Sequence, residues 1–410
     1  MRLVNAILAL AALAACYFLY RTISSYRRLS VIATVCVAAN HVLLALSRMA
    51  MRDNTAMLVE ALALALLFRG LKRSCVFHLY LGGLACGLGF YVYYPARAIL
   101  ALWLMYLVVL VAFLPKKFNW RALFVPALVP VVVVALMVWP LAVQGIKQPD
   151  RQREAIEYQR RQCLLFAEGR DEQKVWTNCH SVQEGIAINL RNGLTLFNNT
   201  ESDKAYIYDN LHHGFMDPVS GMPLWIGLIV IMIRFRSDTG SLLMVSSLLL
   251  EWTVFSVIVN KCPSYPRQLV LLPFAGFCIA HAVIRMSEMV KTLCLRKFPR
   301  AQNVSALSCV VLLLPVVAGN WVIYGDYLHN GFAPKSDAQP TDLGSTARYI
   351  AAREGQPNYN YILVADSQYP YFSYGPPEWW RDWLESTTRI TLRLKIIPAK
   401  EIDACVLQPP

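Results

Sequence analysis

About ten long apolar segments run through this sequence and restrict the folds open to it. The segments extend over residues 3–20, 29–46, 55–68, 75–92, 98–114, 122–144, 222–233, 241–259, 269–284 and 304–323. They approach the length at which an α-helix crosses a bilayer, and they lack the alternation of apolar and polar residues found in membrane β-barrels. With 56% hydrophobic and only 16% charged residues, the chain is predicted to be an all-α polytopic membrane bundle of about ten transmembrane helices.

The loops between these segments carry most of the positive charge. The sequence has 39 Lys and Arg against 26 Asp and Glu, a net charge of +13. About sixteen basic residues fall in one alternate set of loops and about five in the short loops of the other set, which by the positive-inside rule places the first set in the cytoplasm. The outer side then receives residues 47–54, 93–97, 145–218, 261–267 and the tail from about residue 324. Since the charges gather on no single folded face, nucleic acid is not expected as a partner.

Four regions follow from this topology. They are an N-terminal transmembrane bundle of six spans (1–144), an outer polar loop (145–218), a C-terminal bundle of four spans (219–323) and an outer α/β cap (324–410). Within the cap, the pattern of apolar residues predicts an amphipathic helix over residues 343–353 and strands over Tyr361–Ala365 and residues 390–397.

The octapeptide of residues 47–54 is the most conspicuous polar stretch, because it joins two apolar segments and contains Arg48, Arg52 and Asp53. Two interpretations are open. The arginines can snorkel to lipid phosphates as interface anchors, or they can hold an anionic headgroup next to a reactive acid. Asp53, followed by Asn and Thr, is also a good helix N-cap, and the two roles are compatible.

Two acidic residues, Glu60 and Glu251, lie inside apolar segments. An acid at membrane depth indicates either function or a charge partner, and an ion pair with an arginine of a neighbouring helix is the expected arrangement for each. His212, His213 and Asp217 form the group that most resembles a set of metal ligands, but adjacent histidines point in different directions, so a solvated loop is predicted there.

Four short motifs along the chain carry a resemblance to a known family. They are Ser47-Arg48-Met49-Ala50-Met51-Arg52-Asp53, the stretch from Gly87 to Tyr93-Tyr94-Pro95-Ala96-Arg97, Met216-Asp217-Pro218-Val219, and Pro263-Ser264-Tyr265-Pro266-Arg267-Gln268 with the apolar residues that follow. In this order they resemble the family 39 glycosyltransferases. These are membrane enzymes of the C superfamily that use polyprenyl-phosphate sugars, related to protein O-mannosyltransferases and to the lipid A aminoarabinose transferase.

The resemblance implies an activity and a set of site residues. A sugar on a polyprenyl phosphate would be transferred with inversion to a lipid, glycan or protein acceptor at the outer face. Asp53 matches an acidic position of the family and is the candidate catalytic carboxylate. The candidate clamps for the donor phosphate are Arg48, Arg52, Arg97 and Arg267, because a guanidinium presents a fork of donors that fits phosphate oxygens. The possible pocket residues are Glu60, Tyr93, Tyr94 and Tyr265. Some enzymes of the superfamily use a divalent metal, which stays open for this chain, and no metal ligand is assigned.

The sequence departs from the family pattern at its start. In the family, an outer loop with the acid usually credited as catalytic base precedes the helix matched by residues 3–20, whereas only Met1 and Arg2 precede it in this sequence. We therefore expect that an initial span and its loop are missing, as in a fragment, a late-start product or a degenerate relative. A mature protein of this form is expected to be inactive or much weakened.

Two other classes of function are compatible with the pattern. A transporter or lipid flippase would use Glu60 and Glu251 within the membrane. A non-catalytic subunit of a glycosyltransferase assembly would need none of the candidate site residues. The polar groups are predicted to converge on one side of the membrane, whereas a transporter needs gates at both ends, and this favours the enzyme.

Overall fold

The computed structural model describes residues 2–48, 53–114, 118, 120–147, 182–197, 214–234, 238–257, 265–297, 304–330, 361–365 and 394–398. The chain divides into two compact units, Met1–Gly331 and Phe332–Pro410. The first unit contains the described helices, and the second contains the described strands.

The helices of the first unit follow the apolar segments of the sequence, except for the helix Val182–Thr195, which lies in the predicted polar loop of residues 145–218. They are α1 (Arg2–Ile23), α2 (Arg27–Ala39), α3 (His41–Arg48), α4 (Asp53–Arg73), α5 (Val76–Val92), α6 (Ile99–Phe113), α7 (Trp120–Lys147), α8 (Val182–Thr195), α9 (Pro218–Arg234), α10 (Thr239–Val257), α11 (Leu272–Lys297) and α12 (Val304–Asn330). A short 3₁₀ turn at Tyr94–Ala98 precedes α6. Before α11, a single helical turn at Tyr265–Gln268 is followed by a 3₁₀ turn at Leu269–Leu271.

Seven helices in the described part of the chain are long and apolar enough to cross a membrane, or eight if α2 and α3 form one bent span. These seven are α1, α4, α6 with its preceding turn, α7, α10, α11 and α12. The predicted count of ten is not reached, because α5 and α9 are shorter and α2 and α3 meet at an angle of 59°.

The bend between α2 and α3 is explained by Asn40. Its backbone N–H bonds the carbonyl of Val37 at 3.2 Å, which closes α2 one residue early. Its side-chain Oδ1 then accepts from the N–H groups of Val42 and Leu43, at 3.0 and 3.3 Å, and so caps the start of α3. One asparagine therefore ends one helix and begins the next in a new direction.

The bundle is organised around α4 and α11. α4 packs against α1 and α5, and α11 packs against α2, α9 and α12. In the candidate span of α11, 78% of the residues are buried, against 17% in α12. α11 is therefore central, whereas α12 turns most of its apolar side chains outward, as a helix in contact with lipid does.

Close approach of α5 to α7 depends on glycine, as the small-residue pattern predicts. A Cβ added to Gly83 would lie 3.0 Å from the Cα of Pro130, and one added to Gly87 would lie 3.0 Å from the Cβ of Met137. Prolines in α7 are accommodated by a neighbouring side chain. Because Pro130 has no N–H, the carbonyl of Pro126 lacks its usual helical donor, and the indole N–H of Trp103 bonds it at 2.9 Å.

The second unit contains a parallel pair of strands, β1 (Tyr361–Ala365) and β2 (Leu394–Pro398), with Tyr361 opposite Leu394. The predicted strand at 361–365 has the observed bounds, and the strand predicted at 390–397 overlaps β2. The helix predicted at 343–353 lies outside the described residues, so the α/β character of this region stays a prediction.

Candidate functional site

Asn5 holds the two ends of the octapeptide together. Its side-chain amide donates to the carbonyl of Leu46 at 2.8 Å and to that of Ser47 at 3.4 Å, just before α3 ends. Its Oδ1 accepts from the amide of Asn54 at 3.2 Å, just after α4 begins. Asn5 is 4% exposed and Asn54 is fully buried, so these bonds are made away from water. The first turns of α1 therefore fix the distance that the octapeptide must span.

We expect Asn5→Ala to destabilise this junction by about 2 kcal/mol, because it leaves a buried carbonyl and a buried amide without their partner. The measurement is thermal unfolding of the purified protein in detergent, followed by size-exclusion chromatography. Val4→Ala is the matched control, since Val4 is 59% exposed on the same helix turn. Equal melting of the two variants would contradict the assigned role of Asn5.

Arg48 connects the end of α3 to α12. Its Nη1 donates to the phenol oxygen of Tyr324 at 3.1 Å, and Tyr324 is buried whereas Arg48 is exposed. The candidate phosphate ligand is thus oriented by a contact from the far end of the sequence.

A buried polar network lies one helical turn before Tyr324, at Asn320 of α12. The Oδ1 of Asn320 accepts from the backbone N–H of His41 at 3.0 Å, at the start of α3. Its Nδ2 donates to Asp217 Oδ2 at 2.6 Å and to Ser220 Oγ at 3.0 Å, at the start of α9. Asn320 therefore joins α3, α9 and α12 through one side chain.

Asp217 caps α9 and is 1% exposed. Its Oδ1 accepts from the N–H groups of Val219 and Ser220 at 2.9 and 3.0 Å, and the hydroxyl of Ser220 donates to its Oδ2. Burial raises the pKa of the Asp217 carboxyl, and the hydrogen bonds from Ser220 and Val219 oppose that rise. The prediction of a solvated loop is wrong for Asp217, because its carboxyl is a buried helix cap. His212 and His213 lie outside the described residues.

The turn that carries Arg97 and the turn that follows Arg267 both lie against α4. Tyr94–Ala98 packs on α4 and α5, so closely that a Cβ at Gly89 would come within 2.6 Å of the Ala96 carbonyl oxygen. Leu269–Leu271, which follows Arg267, packs on α4 and α10. Arg97 is exposed and Arg267 is half-buried. The helix that begins at Asp53 therefore contacts the turn that carries Arg97 and the turn that begins two residues after Arg267.

Part of the candidate site lies outside the described residues. Arg52 lies outside the described residues, as do the side chains of Asp53 and Tyr94. α4 begins at Asp53, two residues before the predicted segment. Tyr93 is half-buried against the hydrophobic core.

Tyr265 belongs to a buried aromatic cluster, which consists of Phe197, Phe215, Trp225, Trp252 and Tyr265. The rings of Phe215 and Tyr265 lie 5.6 Å apart, and Tyr265 is 1% exposed. Trp252 also donates its indole N–H to the carbonyl of Gly193 at 2.5 Å, which ties α8 to α10. The Tyr265 ring is thus part of the packed interior rather than of an open surface.

Glu60 and Glu251 are partners of each other. Both are buried, at 0% and 1% exposure, and the side chain of Glu60 on α4 interacts with that of Glu251 on α10. The expected ion pairs with arginine are not among the contacts of these two residues in the described part of the chain. Glu60 therefore faces another acid inside the bundle.

No group of three or more His, Cys, Asp or Glu that could hold a metal ion occurs among the described residues. The residues that the sequence reasoning overlooked are amides and a hydroxyl: Asn5, Asn40, Ser220 and Asn320. Their signal was available, since a lone asparagine inside an apolar segment must find buried partners.

Comparison with known proteins gives a family match for the N-terminal part of the chain. Residues 1–144 match the family model of the dolichyl-phosphate-mannose-protein mannosyltransferases. No curated protein gives a significant match to the sequence.

Solved structures with a similar fold include the archaeal oligosaccharyltransferase AglB from Archaeoglobus fulgidus in complex with an inhibitory peptide and a dolichol-phosphate. The TM-score is 0.54 at 11% identity, over 95% of this chain and 53% of AglB. The apo form of the A. fulgidus oligosaccharyltransferase matches with a TM-score of 0.53 at 12% identity, over 97% and 53% of the two chains. ArnT from Cupriavidus metallidurans, bound to undecaprenyl phosphate, matches with a TM-score of 0.49 at 15% identity, over 96% of this chain and 71% of ArnT.

This chain spans about half the length of the oligosaccharyltransferase structures it matches. Its first 144 residues follow the mannosyltransferase family in sequence, and its apolar helices are those of an integral, multi-pass membrane protein. The resemblance to the mannosyltransferases, predicted from four short motifs, is confirmed by the family match for residues 1–144, which contain the first two motifs.

Proposed function

We propose that this protein binds a polyprenyl-phosphate sugar and takes part in transfer of the sugar to a lipid, glycan or protein acceptor at the outer face of a membrane. The observation that carries the proposal is the packing on the helix that begins at Asp53 of the Tyr94–Ala98 turn, which contains Arg97, and of the Leu269–Leu271 turn, which begins two residues after Arg267. The family match of residues 1–144 includes this helix and the first of the turns.

The chemistry assigned to these residues is charge stabilisation. As the bond between the sugar and its phosphate breaks, negative charge grows on the phosphate oxygens. Guanidinium groups of Arg48, Arg52, Arg97 and Arg267 would hold that charge through paired N–H donors. Asp53 would orient the acceptor and take its proton, and attack from the face opposite the phosphate would invert the anomeric centre.

The oligosaccharyltransferase fold supports the kind of donor. AglB was solved with a dolichol-phosphate, and the matched family is described by its dolichyl-phosphate-mannose donor. In both cases a phosphate lies at the end of a long apolar chain. Arginines at a membrane surface can bind such a phosphate. The identity of the sugar does not enter this proposal.

The test is binding of dolichyl phosphate and undecaprenyl phosphate to the purified chain in detergent, measured by native mass spectrometry. We expect Arg97→Ala and Arg267→Ala each to weaken binding about tenfold to a hundredfold, since each removes charge-assisted hydrogen bonds to the phosphate. The corresponding polyprenol, which lacks the phosphate, is expected to bind weakly to every variant.

Arg285→Ala supplies the control. Arg285 is partly exposed on α11 and bonds Glu288 at 2.6 Å, so it is engaged away from the proposed site. Phosphate binding that is insensitive to Arg97 and Arg267, or that falls equally with Arg285→Ala, would refute the proposed clamp. Labelling of single cysteines at positions 53 and 267 from opposite sides of a sealed vesicle would refute the common outer face.

A further inference from the structure

The acidic pair Glu60 and Glu251 belongs neither to the polar network around Asn320 nor to the proposed donor site. Glu60 lies in the first half of α4 and Glu251 in the second half of α10. Both side chains are buried, and they interact with each other. Burying one acid in an apolar bundle is costly, and burying two side by side is more so.

The polar atoms at this place lack other protein partners. Within the described part of the chain, none of the four carboxyl oxygens of Glu60 and Glu251 has a hydrogen-bond donor. The hydroxyl of Ser247 is also fully buried and without a partner. Ser247 precedes Glu251 by four residues on α10, so the two side chains project from the same face of the helix. A hydroxyl and two carboxyl groups therefore share an apolar interior with their hydrogen-bonding capacity unused.

The described charges nearest in sequence are at helix ends. On α4, Asp53 precedes Glu60 by about 10 Å along the helix axis, and Arg69 follows it by about 13 Å. On α10, Asp238 lies before the first residue of the helix, about 20 Å from Glu251. Among the helices packed on the pair, the described titratable group that also faces Glu60 is the thiol of Cys16 on α1. A buried thiol cannot supply positive charge, so none of the described residues provides a cation that would neutralise two carboxylates here.

Two ionised carboxylates in contact repel strongly in a medium of low dielectric constant, and the repulsion is removed when one of them takes up a cation. A proton is the cation that needs no further ligands. It converts one carboxylate into a hydrogen-bond donor, and the other carboxylate can accept that bond.

We propose that Glu60 and Glu251 form a buried proton-binding site, in which at least one carboxyl remains protonated at neutral pH and donates a hydrogen bond to the other. Glu60 belongs to α4 and Glu251 to α10, so the proton links side chains of two helices. It is independent of the sugar donor and of the arginine clamp.

Infrared difference spectroscopy of the full chain in lipid nanodiscs tests this directly. The spectrum of the wild type minus that of the double variant Glu60→Gln, Glu251→Gln at pH 7 is expected to show the carbonyl stretch of a protonated carboxylic acid, shifted when the sample is exchanged into D₂O. A difference spectrum that contains only ionised carboxylate bands would overturn the proposal.

Two single variants at position 60 sharpen the test. Glu60→Gln leaves Glu251 beside a neutral amide, so the protonated band should persist. Glu60→Lys provides an internal positive charge, so Glu251 should ionise and the band should disappear. Equal spectra from the two variants, provided both elute as monodisperse protein, would contradict a proton held for lack of a counter-charge.

The matched control is Glu288→Gln. Glu288 is exposed and ion-paired with Arg285, so its loss should change only carboxylate bands. Replacing K⁺ by Na⁺ in the buffer should leave the protonated band of the wild type unchanged. Conversion of that band into carboxylate bands by Na⁺ would assign the site to a metal ion and overturn the proton.

Discussion

Replacing Gly227 by alanine is expected to destabilise the bundle by about 3 kcal/mol or more, the largest effect of any single methyl group we foresee in this chain. Gly227 lies on α9 where this helix packs against α11. A Cβ at this position would overlap the carbonyl oxygen of Cys278 and lie 2.5 Å from its carbonyl carbon. Because the obstacle is backbone of a buried helix, relief requires separation of the two helices and not a rotamer change.

The measurement is thermal unfolding of Gly227→Ala in detergent, read by the fraction that remains monodisperse. Gly325→Ala on α12 is the control, since a Cβ there meets nothing within 4 Å and alanine favours the helix. We expect the control to be neutral or slightly stabilised. If the two variants melt together, the contact between α9 and α11 is not as close as described.

The second large effect is expected from Asn320→Ala, at about 3 kcal/mol. The substitution removes the donor to the buried Asp217 carboxyl and the acceptor for the N–H of His41 at the same time. Each group is left buried with one partner fewer, and the starts of α3 and α9 lose their common link to α12. The loss should appear both as a lower melting temperature and as weaker binding of polyprenyl phosphate, because Arg48 is carried by α3.

Val322→Ala on the same helix is the comparison for this experiment. Val322 is 71% exposed, so its truncation should change neither property. Asn320→Asp should be worse than alanine, since it places a second carboxyl against Asp217. An aspartate variant as stable as the wild type would show that the amide nitrogen of Asn320 is not the donor to Asp217.

The positions of the helices could be predicted from the sequence because a membrane span is a local property. Nine of the ten predicted segments each overlap one α-helix of the structure, the segment 29–46 is divided between α2 and α3, and α4 differs from its predicted segment by only a few residues at each end. The glycines of α5, spaced by one turn, indicate a close helix contact but do not identify α7 as the partner.

Long-range partners could not be predicted in the same way. The sequence shows Glu60 and Glu251 as isolated acids, and an arginine is the cheaper partner for either, yet the fold brings them together. Similarly, Asp217 next to two histidines resembles a metal ligand until Asn320, 103 residues away, is seen to bond it. Which polar groups meet depends on the arrangement of helices, and no local pattern encodes that.

The candidate site itself stays a prediction. The motifs predicted that Arg97, Arg267 and Asp53 would be close, and the structure packs on α4 the turn that carries Arg97 and the turn that follows Arg267. Asn5 and Asn320, which join the helices near the candidate site, were not singled out from the sequence, because an amide side chain carries no charge. Their role depends on buried carbonyls and N–H groups that only a folded backbone provides.

The bend at Asn40 and the charged group of Arg48 lie at opposite ends of α3. α3 has eight residues and is about 12 Å long. A rotation of about 10° at Asn40 would therefore swing the Arg48 end by about 2 Å, several times the positional tolerance of about 0.5 Å typical of a working binding site. A small change in the hydrogen bond between His41 and Asn320 would therefore produce a larger displacement of Arg48, where the lipid phosphate is expected to bind.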